Sequence, residues 1–186
     1  MKKIFVLIAA ILLQITMLTA QDKYLTKTGY LSFLSETLVE NIFVESKEAT
    51  TIFDSKTGEV AFSVSITSFQ FKIKLMQEHF NENYMESGKF PKATFSGKLE
   101  NFSGLDVNSK DPQNFVVKGK MNIHGTEQEV TSNVTLTVSA PGKINATSTF
   151  KLMPEKFGIK IPSAMGLKIA KEVDITVKAD YEPYKP

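Results

Sequence analysis

Side chains able to do chemistry are few in this 186-residue chain. His79 and His124 are the only imidazoles, cysteine is absent, and no G-x-S-x-G elbow occurs. A serine or cysteine nucleophile needs a neighbouring base to be activated, so Ser-His and Cys-His catalysis lack most of their signature. His124 stands directly before Gly125, between two runs of alternating apolar residues, which favours a role in a hairpin turn over a catalytic one. His79 with Glu82, three residues on, is the only local pair of metal-ligand type. A metal site needs several converging ligands, and charged residues on the polar face of a helix are ordinarily just solvated. No catalytic residue, metal ligand or cofactor site is assigned.

Aromatic residues are in better supply, with Phe62, Phe69, Phe71, Phe80, Tyr84, Phe90, Phe95 and Phe115 concentrated between residues 60 and 115. Any one of them fits plain core packing, since phenylalanine is commonly buried. As a group they fit the wall of an apolar cavity, because a small barrel either fills with side chains or keeps room for one ligand. Gly97, Gly119, Ser132 and Ser148 would leave volume unfilled beside the rings, although tapered barrels also alternate small and large residues.

The elements that must position these residues read as strands. Ala93, Phe95, Gly97 and Leu99 alternate with polar residues, as do Phe115 to Ile123, Val130 to Val138 and Val173 to Ala179. A period of two puts each apolar set on one face. Further strands are expected near 24–33, 41–53, 59–71 and 143–152, separated by turn residues such as Asp54 to Gly58, Asp111-Pro112 and Ala140-Pro141-Gly142. About eight antiparallel strands, each with one polar face, imply a closed barrel or a sandwich. Ile73, Met76, Phe80 and Tyr84 break the pattern, with the spacing of a short amphipathic helix over about 73–85 that ends before Gly88 and Pro91. Its stripe must cover something, and the open end of a barrel is the obvious place, as a lid or as a plug.

The first residues, Met1-Lys2-Lys3 followed by an apolar run from Ile4 to Leu13 and then Leu18-Thr19-Ala20, have the layout of a secretory signal peptide. Gln14, Thr16 and Thr19 interrupt the stretch, which argues against a spanning helix. Cleavage after Ala20 leaves one domain over 21–186 in a periplasmic or secreted location, and no membrane span. Loss of Lys2 and Lys3 takes the net charge of +2 to zero. A neutral chain whose cations are all lysine has no electrostatic reason to bind nucleic acid, and it lacks the bidentate fork that recognises phosphate. Without disulfides the fold must rest on its core, which a chain of this length can supply.

Three stretches resemble the YceI-like family of exported, lipocalin-like proteins associated with polyisoprenoid binding. Glu78-His79-Phe80 through Lys89-Phe90-Pro91-Lys92-Ala93-Thr94-Phe95 is similar to the family's short helix and following strand. Val117-Lys118-Gly119-Lys120-Met121-Asn122-Ile123-His124-Gly125, with Val130-Thr131 after it, resembles the family's I-H-G hairpin and is the most specific match. Phe157-Gly158-Ile159 and Glu172 to Ile175 look like its C-terminal ending. The first strand departs from the family, reading Gly29-Tyr30-Leu31-Ser32-Phe33 where many members carry a His-Ser motif, and Phe150-Lys151-Leu152-Met153 stands where arginine is frequent.

The resemblance implies an all-β, eight-stranded antiparallel, lipocalin-like barrel with one short amphipathic helix and an elongated cavity that holds a long-chain lipid. Expected ligand-binding residues are Phe62, Phe69, Phe71, Met76, Phe80, Tyr84, Phe90, Phe95, Met121 and Val134. The expected partner is an apolar, lipid-like small molecule, held without catalysis. A solid barrel that binds protein through its surface is the competing class, and an uncharacterised hydrolase is the next.

Overall fold

In the computed structural model, which describes residues 22–184, eight antiparallel strands form one closed barrel. They are β1 (Lys23–Glu36), β2 (Asn41–Asp54), β3 (Glu59–Ser65), β4 (Lys92–Leu99), β5 (Gln113–Ile123), β6 (Thr126–Ala140), β7 (Lys143–Leu152) and β8 (Val173–Pro183). Each strand pairs with its sequence neighbours, and β1 pairs with β8 to complete the circle. This is the expected fold class, chosen over a sandwich by the β1–β8 pairing. The expected signal segment 1–20 lies outside the described residues. Among those described, no helix is long and apolar enough to cross a membrane.

Local chemistry sets the turns. His124 and Gly125 join β5 to β6 with φ of 53° and 73°, the two positive values that a tight hairpin of matching twist requires. Between β2 and β3, the Asp54 carboxylate accepts the Lys56 and Thr57 amides at 2.9 Å, and Gly58 follows at φ 77°. The β1–β2 pairing shifts register on both sides of Gly29. Inward-facing positions therefore change parity, from Tyr24 and Thr26 to Leu31, Phe33 and Ser35.

Strand β3 stops at Ser65, six residues short of the expected end. The Ile66 amide bonds the Pro91 carbonyl at 2.9 Å, the chain turns through a 3-10 segment at Ile66–Ser68, and it leaves the sheet. Helix α1 spans Lys74–His79 and continues as a wider π-type turn over Phe80–Tyr84, closed by Met85 N–H donating to the Phe80 carbonyl at 2.8 Å. Ile73 is the N-cap and is 51 % exposed, so it does not belong to the covered stripe. So short a helix is not stable alone and depends on its packing.

The interior divides into two halves. The half at the end where α1 sits is built on Val44, Val64, Ile66, Phe69, Met85 and Phe157. The other half is solid, formed by Tyr24, Phe53, Leu99, Leu136, Ile144 and Tyr181. Phe102, from the β4–β5 connection, lies edge-on to Phe53 and Phe115, with centroids at 6.1 and 5.4 Å. Within this floor, Tyr181 and Thr51 share a hydrogen bond of 2.8 Å. Burial pushes the Tyr181 phenol up to about 12, only partly opposed by the Thr51 bond.

Gly97 and Gly119, paired across β4 and β5, do not leave empty volume beside the rings. A Cβ on Gly97 would lie 2.6 Å from the Phe95 ring, and one on Gly119 would lie 2.8 Å from it. The ring of Phe95 already occupies the space. Ser132 and Ser148 fill theirs by bonding to each other at 2.9 Å.

Two outcomes are expected. Gly119→Ala should cost about 1–3 kcal/mol or more in urea unfolding, since the new methyl would meet the Ser96 carbonyl oxygen as well as the Phe95 ring. Because the Tyr181 phenol is held above its unfolded value of 10.0, its contribution is complete below pH 10 and is lost as pH rises toward 12. Stability measured against alkaline pH should therefore fall more steeply across that window in the parent than in Tyr181→Phe.

Candidate functional site

Above the floor the barrel encloses a cavity of about 240 Å³. Its inner wall is set by strand register: Phe62 on β3 is opposite Phe95 on β4, which is opposite Met121 on β5. Leu31 and Phe33 from β1, Phe150 and Leu152 from β7, and Ile175 from β8 continue the wall around the circle. The alternation of the strands sends these side chains inward while Lys98, Lys118 and Lys120 alternate with them outside.

The mouth is covered by the two long connections. Met76, Phe80, Tyr84 and Met85 arrive from the β3–β4 connection, and Ile161, Met165 and Ile169 from the β7–β8 connection. Four phenylalanines meet beneath them: Phe80 lies 5.7 Å from Phe33 in a stacked arrangement, 5.8 Å from Phe69 and 5.0 Å from Phe71. Such pairs add roughly 0.5–1.5 kcal/mol each beyond burial, so they hold the helix on the barrel end. Polar lining groups are few, and Glu40, His79 and Lys168 come from the connections at the mouth. Ser35 is buried, with its hydroxyl oxygen accepting the Ala170 amide at 2.9 Å.

A second fastening lies outside the cavity. Glu86, just after the π-type turn, contacts His124 of the β5–β6 turn at 2.8 Å between carboxylate and Nε2. Both residues have positive φ, 43° and 53°, a conformation that costs a non-glycine residue of order 1–3 kcal/mol and persists where surroundings impose it. Phe90 packs on His124 at 4.5 Å between centroids, and its ring fills the space where a Cβ on Gly125 would stand. His124 is thus engaged in a turn and a tether.

Eight of the ten residues expected to meet a ligand line the cavity: Phe62, Phe69, Phe71, Met76, Phe80, Tyr84, Phe95 and Met121. Two do not. Phe90 belongs to the loop after the helix and lies on the His124–Gly125 turn. Val134 faces inward, but at a level of β6 that packs against the solid half. Alternation fixes the inward face of Val134 and says nothing of its height along the axis; the level beside the cavity that the resemblance implies is not the one it takes.

Missed residues include Phe33, Phe150, Ile159 and Ile175, which line the cavity from the two ends of the chain. Period-two alternation in β7 and β8 was a usable signal for Phe150 and Ile175. For Phe33 the bulge at Gly29 obscured it. His79 lines the mouth without Glu82 beside it there, and among the described residues no group of three or more His, Asp or Glu side chains could hold a metal ion. What the arrangement can do is enclose an apolar body that enters by one end.

Several solved structures share this barrel. A polyisoprenoid binding domain from Saccharophagus degradans, implicated in plant cell wall breakdown, superposes with a TM-score of 0.77 at 13 % identity, covering 88 % of this chain and 99 % of that one. BcnA of Burkholderia cenocepacia gives 0.68 at 18 % identity over 82 % and 95 % of the two chains. A Campylobacter jejuni YCEI protein gives 0.62 at 15 % identity over 76 % and 85 %. At such identities the likeness is one of fold. No curated protein matches the sequence. A model of the YceI-like domain, however, matches residues 30–181, from the middle of β1 nearly to the end of β8. The chain belongs to the YceI-like domain family.

Proposed function

We propose that this protein is exported and that its barrel binds, sequesters or carries an apolar, long-chain, polyisoprenoid-like lipid without catalysing a reaction on it. The observation that carries this reading is the cavity itself: closed below by aromatic packing, lined almost wholly by hydrocarbon, and covered at its mouth by segments that are not strands. Transfer of a chain from water into such a space is worth about 0.8 kcal/mol per CH₂. The polyisoprenoid binding domain of Saccharophagus degradans, with the same barrel, supports the choice of ligand class.

Size refines the reading. At about 240 Å³ the cavity is just below the roughly 300–1,000 Å³ of ordinary small-ligand sites. A long isoprenoid chain needs more room than that, so binding requires the mouth segments to move outward or part of the chain to remain above them. Helix α1 has no side-chain cap and contains no buried residue, which makes it an element of low cost to displace. The cluster around Phe80 is what it must release.

Tryptophan substitutions test this. Met121→Trp places a larger ring in ligand volume, so stability of the ligand-free protein should change little while uptake of a fluorescent isoprenoid analogue falls. Val134→Trp, in the solid half, should overpack the floor and cost about 1–3 kcal/mol in urea melts. Equal and large losses of stability at both positions, with no analogue bound by the parent, would leave the barrel as a packed scaffold acting through its surface.

A further inference from the structure

The exposed large apolar side chains are concentrated at one end of the barrel. Leu38 and Val39 form the tip of the β1–β2 connection, Ile73 and Leu75 the start of α1, and Leu167 the outer bend of the β7–β8 connection. Leu38 is fully exposed, and Leu167 is 75 % exposed. None of the five lines the cavity, yet their immediate neighbours do: Glu40 beside the first pair, Phe71 and Met76 around the second, Lys168 and Ile169 after the last. The three connections that bound the mouth thus turn one set of apolar residues inward and another outward. Core packing does not account for the outward set.

Cations stand directly beside the exposed apolar residues of this rim. Lys72, Ile73, Lys74 and Leu75 are all exposed and alternate cation with hydrocarbon, and the exposed Lys168 follows Leu167. Over the full connections 37–40, 66–91 and 153–172, seven lysines stand against six acids, but Glu78, Glu86 and Glu172 are paired with Lys74, His124 and Lys151, whereas Lys72 and Lys168, beside the exposed apolar residues, form no ion pair among the described residues. Lysines beside exposed leucines are suited to a bilayer surface, where their stems lie along hydrocarbon and their ammonium groups reach the phosphates.

We propose that the rim of the mouth is a docking surface for an anionic lipid bilayer, on which Leu38, Val39, Ile73, Leu75 and Leu167 insert at the headgroup level and the lysines pair with lipid phosphates. This rests on the reading that the cavity holds a lipid, because such a ligand has its source and destination in a membrane. Docking mouth-down lets the chain pass between bilayer and barrel without crossing water. It also gives the displacement of α1 a cause, since Ile73 and Leu75 gain an apolar environment only when the helix end meets the lipid.

The test is flotation of the parent and of Leu38→Asp/Leu75→Asp/Leu167→Asp with vesicles of phosphatidylethanolamine alone or mixed with phosphatidylglycerol. Titration of both proteins with a fluorescent isoprenoid analogue in vesicle-free solution runs alongside. The parent should float with the mixed vesicles, more weakly as salt rises, and the triple variant should lose at least about tenfold in partition while its analogue titration is unchanged. Single changes at Leu38 and Leu167, both in connections, serve if the triple variant melts early. A parent that binds the analogue but floats with neither vesicle overturns the docking surface and leaves the cavity reading intact; a parent that floats but binds no analogue fails the cavity reading instead. Flotation unaffected by the substitutions overturns the rim assignment. So does a concentration-dependent dimer of the parent, abolished by the same substitutions, which would make the rim a contact between copies.

Discussion

Closure of the sheet is the constraint from which the rest follows. Once β1 pairs with β8 there is no edge, and every second residue of eight strands is committed to an enclosed interior. That interior must be filled or left open. Here it is filled in one half by Phe53, Phe102, Phe115 and Tyr181, and left open in the other. Phe95 stands at the change between them, its ring seated against Gly97 and Gly119 and still lining the cavity. Two residues without side chains are what allow that ring to turn toward the floor.

The two ends of the barrel differ in kind. The floor is made by strand residues and Phe102, with the Tyr181 hydroxyl bonded to that of Thr51. The mouth is made by connections, held by side-chain and isolated backbone fastenings rather than by a continuous strand ladder, among them the phenylalanine cluster around Phe80, the Glu86–His124 pair, the Glu45–Gln70 bridge and the Ala170–Ser35 bond. A domain with a rigid end and a loosely fastened end opens at the latter. On the proposed reading the aromatic residues at the mouth, which are each other's partners in the empty barrel, would exchange those contacts for a guest.

Much of this was legible in the sequence, and the exceptions have physical causes. Strands β4, β5, β6 and β8 follow from strict alternation, and the His124–Gly125 turn from its residue types. β1 and β2 were harder, because the register shifts around Gly29 change the parity of the inward face midway. The expected β3 runs past the observed end at Ser65 because Ile66 and Phe69 remain buried after the chain has left the sheet, so the apolar pattern outlasts the strand. Ile73 joined the helix stripe by spacing alone, whereas the N-cap position sends it to solvent. Val134 and Phe90 show the general limit. A period gives the face of an element; depth along a barrel axis comes only from how far each strand is staggered against the next.

A tube sealed at one end is also a ruler. Whatever enters must do so with its hydrocarbon end first, because the row formed by Phe62, Phe95 and Met121 offers nothing to a polar group, while Glu40, His79 and Lys168 wait at the opening. For the lipid guest proposed above, orientation would therefore be fixed before any specific contact is made. The distance from that row to the mouth then sets how many carbons are hidden and how many are left outside. Selectivity of this kind needs no recognition of chemical detail: it counts length, and the thickness of the floor is its scale.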